Sequence, residues 1–570
     1  MDECQTTPTI NALLNAINTD PSETINRHLT ELASLTQHID FCSEFVELNG
    51  IDSLVWMKSR MTQEDINVCF IVQSFRQEYL IPLICDLTIH RSAIAKSLLL
   101  STLPRDLVHL LRTSDVRTTE LILKIFVNLG IDEAELFRSE VGTVLNEWIC
   151  FFLRETLPTH LERSFDDKGA GYITFSSLDK LSELCLKILN ILVKRNQRVS
   201  VTSEFVDFVV PLLHHISTTV VMLVLRLLCL TTSDDAVMRS IESSIPIVDV
   251  DGETCSIQVV GLLADLFDRH LNRIRTDCDQ MQVLRSRMNV SDAMMTIDTA
   301  ETDRSDNTNM VSLTSQVCAN CGVLEYVSNL VGQIVCWEGR AHEMLGKSGV
   351  RSLIGECLSF FHKQLEFGYI QNEHLSTMQS SRISSETTIE AVSARLLQNC
   401  LFCVANMLEV EIDENQRILR YLFPREHNPG ETLFSILSTL RTSGIPILVP
   451  QVVRIVKQML KGPSDLLLTL AKSRLVEELF EEVTILDLID EKIEINLMDI
   501  AIEMLLPGLA KDSRQNSEGM VAEREYALRL HSMLTQSHFF SKIEAQSHCR
   551  SDTWIKKLST LRSVIRRMEC

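Results

Sequence analysis

Residues 44–55 read EFVELNGIDSLV, and residues 343–354 read EMLGKSGVRSLI. In each, two apolar residues close one helix and a short gap leads to a glycine, Gly50 or Gly349. A β-branched residue follows (Ile51, Val350), and a Ser-Leu pair with another β-branched residue opens the next helix. This is a helix-turn-helix joint. A joint that recurs in an otherwise helical chain predicts stacked helical repeats, an architecture that presents surface to a partner.

The rest of the chain agrees with these joints. At 570 residues it exceeds the size at which one compact core keeps growing, so several domains or an extended solenoid are expected. Aromatic residues are only 6% of a sequence that is 45% hydrophobic, a mix that suits interdigitating helices better than a sandwich core. The net charge of −22 opposes a polyanion as the main ligand, because phosphate binding needs concentrated Lys and Arg; no nucleic-acid partner is expected. The amino terminus, MDECQTTPTI, lacks the basic and apolar regions of a secretory signal. The longest apolar run, Val220 to Leu230, is interrupted by Arg226, so no transmembrane segment is expected. Seventeen cysteines fall largely in apolar helical settings such as Cys85, Cys185 and Cys229, where free thiols act as small hydrophobes. These features place the chain in the cytoplasm or the nucleus.

From about residue 8 to 285, apolar residues recur at steps of three and four, as in LILKIFVNLGI (121–131) and LCLKILNILVK (184–194). The stretch LLLSTLPRDLVHLL (98–111) repeats the joint with Pro104 in the first turn of the next helix, where proline fits. Residues 1–288 are therefore read as a first block of repeats. Residues 289–314, rich in Asp, Thr, Ser and Asn and without helical periodicity, are read as an acidic, mobile loop. Residues 315–510 form a second block of repeats, 511–549 a polar linker and helix, and 550–570 a terminal helix.

Several segments invite a chemical reading. In SFDDKGAGYITFSSLDKL (164–181), Asp166, Gly171, Tyr172 and Ile173 match positions of an EF-hand calcium loop. Lys168, Ala170 and Ser177 stand where oxygen ligands are required, so a glycine-rich loop between helices is expected. Cys318, Cys321, Cys336 and His342 have the spacing of a zinc site, but the text around them reads as one long helix and its joint, so half-buried thiols are expected. Cys400 and Cys403 form a C-x-x-C pair inside an apolar helical run and read as packing. No phosphate loop, dinucleotide fingerprint, nucleophile elbow or His-Glu-x-x-His helix occurs. No catalytic residue, metal ligand or cofactor is assigned, and the chain is expected not to be an enzyme.

The final segment, TWIKKLSTLRSVIRRM (553–568), carries Trp554, Leu558, Leu561, Ile565 and Met568 at steps of four and three. Lys556, Lys557, Arg562, Arg566 and Arg567 cover the remaining surface. This basic amphipathic helix is expected to cap the last repeat by docking on its own chain; partner binding or self-association through the same seam is the alternative.

The joint, with its helix, Gly-β-branched step and leucine-rich following helix, resembles the armadillo-type repeat superfamily. Gly50 and Gly349 lie about 300 positions apart, or about seven units of roughly 42 residues, within the range of armadillo and HEAT repeats. LTELASLTQHIDFCSEFVELNGIDSLV (29–55) is similar to the armadillo region of engulfment and cell motility proteins, which assist activation of a Rho-family GTPase. CLKILNILVKRNQRVS and TTVVMLVLRLLCLTTSDD, within 185–235, are similar to the armadillo domain of the cancerous inhibitor of protein phosphatase 2A. The lipid-binding domain and proline-rich tail of the first family, and the long coiled coil of the second, are not recognisable in these residues. The resemblance implies an all-α, armadillo/HEAT-like α-solenoid, a right-handed superhelix of stacked repeats. It further implies a non-enzymatic scaffold or adaptor that binds a protein segment along a groove. Asn128, Asn190 and Asn406 mark the candidate groove, because such grooves use Asn side chains to hold an extended backbone; ordinary helix capping or punctuation is the competing reading of the same residues. Regulation of a small GTPase or a protein phosphatase through the same surface is the alternative function.

Overall fold

A computed structural model describes residues 11–16, 31, 45, 81–89, 103–112, 114–130, 140–160, 162–165, 171–175, 178–194, 203–242, 244–248, 254–293, 300–337, 349–361, 389–410, 433, 449–461, 470, 473, 475–485, 490–509, 518–536 and 550–569. The described residues are all-α apart from two short β-hairpins, and within each unit the long helices stack on one another in chain order, as in a helical-repeat fold. The chain divides into two compact units, one of Met1–Ser240 with Pro246–Cys255 and the other of Ile241–Ile245 with Ser256–Cys570. The change of unit falls near residues 241–256, earlier than the polar stretch that the sequence suggests as the divide.

The first unit contains α1 (Ile81–Ile89), α2 (Leu103–Leu110), α3 (Val116–Gly130), α4 (Glu140–Phe151), α5 (Asp179–Lys194), α6 (Ser203–Val209), α7 (Thr218–Thr231) and α8 (Asp235–Glu242). Its spine is a stack in which α1 packs on α3, α3 on α5 and α5 on α7. Each helix enters this spine through a stripe set by its period. On α3 the buried apolar residues are Ile122, Leu123, Ile125, Phe126 and Leu129; on α7 they include Val220, Val221, Val224, Leu225, Leu227 and Leu228. Each such side chain contributes about 1.5–3 kcal/mol when removed from water. Helix starts are set locally: Asp115 Oδ1 accepts the Thr118 N–H at 2.7 Å at the head of α3, and Asp234 Oδ1 accepts the Ala236 N–H at 2.8 Å at the head of α8.

Strands β1 (Glu162–Phe165) and β2 (Gly171–Thr174) pair antiparallel, with Phe165 opposite Gly171 and Glu162 opposite Thr174. The segment read as a loop is thus a β-hairpin. Gly171 sits in a ladder and cannot supply the sharp turn of a calcium loop. Asp166, Lys168 and Ala170 lie outside the described residues. Beyond the hairpin, buried His215 ties the chain together. Its Nδ1 accepts the Ser217 N–H at 2.9 Å, so its Nε2–H donates to Asp179 Oδ1 at 2.9 Å, with Phe175 stacked on the ring. His215 caps the approach to α7. Strands β3 (Ser244–Val248) and β4 (Thr254–Gln258) lie where the chain passes between units.

The second unit contains α9 (Val259–Ala293), α10 (Ala300–Val335), α11 (350–361), α12 (Ile389–Val410), α13 (Val449–Lys461), α14 (Leu475–Ile485), α15 (Glu491–Leu509), α16 (Glu518–Gln536) and α17 (Asp552–Glu569). Here α9 packs on α10, then α10 on α12, α12 on α13, α13 on α15, and α15 on α17. The second of the two sequence joints is visible: Gly349 has φ of 75°, the left-handed conformation that favours glycine, and its carbonyl accepts the Leu353 N–H at 3.2 Å to start α11. Val350, Ile354, Cys357 and Leu358 are buried behind it. The first joint, 44–55, lies outside the described residues apart from buried Phe45.

The reading of 289–314 as a loop is corrected. Residues up to Ala293 complete α9, and residues from Ala300 open α10; 294–299 lie outside the described residues. Periodicity failed as a signal because residues 308–316 stay exposed or half-exposed, so no apolar stripe is needed before Val317, the first buried side chain described on α10.

Candidate functional site

Polar side chains tie each long helix to its neighbour, and all three asparagines singled out from the sequence belong to these ties. Asn128 on α3 donates Nδ2–H to Thr88 Oγ1 on α1 at 3.1 Å. Asn190 on α5 donates to the Leu223 carbonyl on α7 and to its own helix at the Leu186 carbonyl, both at 2.9 Å. Asn406 on α12 donates to the Gly332 carbonyl on α10 at 2.8 Å, and its Oδ1 accepts from Arg454 Nη2 on α13 at 2.6 Å. Asn128 is half-buried, whereas Asn190 and Asn406 are 3% and 1% exposed. In this arrangement they set the spacing of successive helices.

Gly332 permits the closest of these approaches. A Cβ there would meet the Phe402 ring at 2.9 Å and Cys403 Cα at 3.3 Å, so α10 and α12 touch through backbone. From this point a line of polar groups runs outward along the stack. Arg454 holds Glu409 with both Nε and Nη2, at 3.0 and 2.6 Å, and lies over the Phe402 ring. Lys457, one turn on, reaches α15, donating to Asn496 Oδ1 at 2.7 Å and Asp499 Oδ2 at 2.9 Å. Lys557 on α17 closes on the other oxygen of Asp499 at 2.5 Å. Burial works to raise the Asp499 carboxyl, but the hydrogen bonds from Lys557 and Lys457 outweigh it and hold the group below its ordinary value.

These helices enclose a cleft of ≈ 510 Å³ lined from α12, α13 and α15 by residues that include Arg454, Lys457, Lys461, Lys492, Ile493 and Asn496. The cations of α13 stand at 454, 457 and 461, steps of three and four, while Val449, Val452, Val453, Ile455, Val456 and Met459 fill the opposite face. That stripe was present in the sequence as a run of basic residues on the polar face of one helix in an acidic chain. The apolar period of the segment does not single it out, because cations on the solvent face of an amphipathic helix are ordinary.

The terminal seam faces the chain itself. Trp554, Leu558, Leu561 and Ile565 are buried against α15, and Trp554 Nε1–H donates to Glu494 Oε2 at 2.8 Å. Arg550 Nη2 donates to the other oxygen of Glu494 at 2.9 Å. Burial raises the Glu494 carboxyl, and the Trp554 and Arg550 hydrogen bonds offset this only in part. At the head of α17, Ser551 donates its hydroxyl to Glu491 and accepts the Trp554 N–H at 3.4 Å. Lys556, Arg566 and Arg567 remain exposed on the outer face.

The described cysteines are spread along and between helices. Cys318 and Cys321 share one face of α10, but Cys336 follows the end of the same helix, so about 27 Å of helical rise separates it from Cys318. His342 lies outside the described residues. Among the described residues no group of three or more potential ligands converges. Cys400 and Cys403 are buried in α12, where the Cys400 and Cys357 thiols are 3.8 Å apart. Burial pushes Cys321, Cys357 and Cys403 well above the ordinary thiol value, which keeps them protonated and unreactive. Among the described residues no helix is long and apolar enough to cross a membrane.

No family model matches the sequence, and no similar curated protein is found. Among solved structures, the chain is similar to an engineered protein at 12% identity and a TM-score of 0.54, over 99% of both chains. It also aligns with a structure from work on a phosphorylation switch controlling the interaction between cadherin and beta-catenin, at 11% identity and a TM-score of 0.44, over 100% of this chain and 93% of that one. A crystal structure of SYS-1 aligns at 9% identity and a TM-score of 0.47, over 93% of both chains. At these identities the likeness concerns fold alone, and the first of the three carries it.

Proposed function

We propose that the protein is a non-enzymatic scaffold that holds a segment of a partner protein along the stacked helices α10, α12, α13 and α15. The observation that carries this reading is the line of cross-helix polar groups ending in the cleft. Arg454, Glu409, Lys457 and Asn496 border the cleft and are each held by a residue of another helix, with Asn406 and Asp499 fixing Arg454 and Lys457 from behind, so these lining side chains are preorganised before anything binds. A pre-set row of donors and acceptors suits an extended segment, which arrives with a regular series of backbone groups. Of the charged groups at the cleft, Arg454 is paired with Glu409 and Lys457 with Asp499, which favours a holding role over proton transfer, while Lys461 and Lys492 stay exposed.

The reading is tested by purifying the intact protein from its native cells and identifying what accompanies it. A stoichiometric partner that is lost when cleft-bordering residues are substituted, with thermal stability unchanged, is the expected result. Recovery of the protein alone at low salt would overturn the scaffold.

A further inference from the structure

The geometry points to an acidic peptide segment as the occupant of the cleft between α12, α13 and α15, its carboxylates received by Lys461 and Lys492. This rests on the scaffold reading and adds the chemistry of the partner.

The first argument is the sign of the charge. In a chain of net charge −22, the cleft gathers Arg454, Lys457, Lys461 and Lys492 against two carboxylates, Glu409 and Asp490. Two of the four cations are already engaged. Arg454 is held bidentately by Glu409, and Lys457 is held by Asp499 and Asn496. Asp490 is used as the cap of α15, where its Oδ1 accepts the Lys492 N–H at 3.0 Å. Lys461 and Lys492 are exposed and form no ion pair among the described residues, although the field of Lys461 reaches Glu503.

The second argument is position. Lys461 closes the last turn of α13, where the helix dipole favours a cation, and is unremarkable alone. Lys492 stands in the first turn of α15, where the dipole disfavours a cation and favours an anion. Asp490, Glu491 and Glu494 already supply the negative charge which that end favours, and Glu491 and Glu494 are engaged by Ser551, Trp554 and Arg550, so Lys492 is the exposed cation of this turn and it borders the cleft. Asn496, one turn along from Lys492, gives its Oδ1 to Lys457, and its amide N–H groups have no partner among the described residues. They suit a main-chain carbonyl. The cleft therefore offers two free ammonium groups for carboxylates and an amide for the backbone that carries them, with Ile493 as an apolar contact between.

A nucleic acid fits this pattern less well. Tracking a phosphate backbone requires a continuous run of cations, and two lysines bordered by Glu409 and Asp490 do not supply one.

The test uses the full chain and fluorescence anisotropy at low salt with three labelled probes: a short peptide of alternating glutamate and serine, the same peptide with glutamine for glutamate, and an oligothymidylate. The glutamate peptide is expected to bind, and the paired substitution Lys461→Glu with Lys492→Glu is expected to weaken it roughly tenfold or more. Lys556→Glu with Arg566→Glu, on the outer face of α17, is expected to leave it within about twofold. Should the reversed pair disturb folding by circular dichroism, Lys461→Gln with Lys492→Gln gives the same direction with a smaller loss. Equal binding of the glutamine peptide, no binding of the glutamate peptide, or indifference to the cleft substitutions overturns the proposal; tighter, cleft-dependent binding of the oligothymidylate assigns the site to nucleic acid instead. If the native partner co-purifies equally with the wild-type protein and the Lys461→Glu, Lys492→Glu variant, the cleft assignment fails while the scaffold stands. If neither brings down a partner, the scaffold itself fails.

Discussion

Asn406 joins three helices with one amide: its N–H bonds the Gly332 carbonyl on α10, and its oxygen accepts from Arg454 on α13. Removing it strands a buried carbonyl and loosens a guanidinium. Asn406→Leu is expected to lower stability by about 2 kcal/mol, whereas Asn128→Ala, at a half-buried neutral bond, lowers it by about 1 kcal/mol or less. Urea denaturation of the two variants measures the difference, and equal losses would refute the bridging role. His270 gives a pH signature. It is 3% exposed on α9 and its Nδ1–H donates to Asn320 Oδ1 at 2.7 Å. Burial lowers its pKa to about 4, opposed in part by the Asn320 bond and aided by Arg273 and Arg269. The folded state resists the proton that the unfolded chain accepts near 6.5, so this stability is fully present above that pH and is lost as pH falls toward 4. His270→Gln is expected to remove about 3 kcal/mol of the decline between those limits, seen in denaturation midpoints measured across the range.

Among the elements, α17 shows how one helix is joined to the stack. Its position repeats the pattern of the stack, since α15 contacts α17 as α13 contacts α15. The Trp554 ring fills the seam while its N–H engages buried Glu494. The two roles separate by substitution: Trp554→Phe keeps most of the packing and costs about 1–2 kcal/mol, whereas Trp554→Ala costs about 3–5 kcal/mol. Near-identical losses on thermal unfolding would mean that the hydrogen bond to Glu494 carries the whole effect and the ring packing adds nothing. This helix was legible because its seam is apolar at regular steps with cations elsewhere. The Gly349 joint was legible for a similar reason, since a positive φ leaves its mark as glycine. The polar turns of α10 left no such mark. A helix exposed on most sides selects for no stripe, and its sequence looks like a loop. The hairpin at 162–174 was hidden differently, because strands of four residues are too short to show alternation. Asn406, behind the cleft, could be picked out by residue type, while Lys461 and Lys492 are 31 positions apart in the chain and only the packing of α13 on α15 makes them one site.

Across the molecule, stability should be local, because each long helix gains most of its burial from the helix before and the helix after it in its own unit. Stacks of this kind behave as chains of nearest-neighbour interactions, so a disturbance weakens its own stretch before it reaches a distant one. The four tryptophans allow this to be read directly. Trp148 on α4 stacks on Phe152 with ring centroids 5.4 Å apart in the first unit, and Trp554 on α17 is buried against α15 in the second. With Trp56 and Trp337 replaced by Phe, a variant keeping only Trp148 and another keeping only Trp554 each report one unit. Two distinct urea midpoints are expected. Adding Asn406→Leu should move the Trp554 midpoint and leave the Trp148 midpoint in place, because the lost bonds lie on α10, α12 and α13. A single midpoint, shifted equally for both reporters, would show the chain unfolding as one cooperative body and would remove the basis for treating the cleft as a property of the second unit alone.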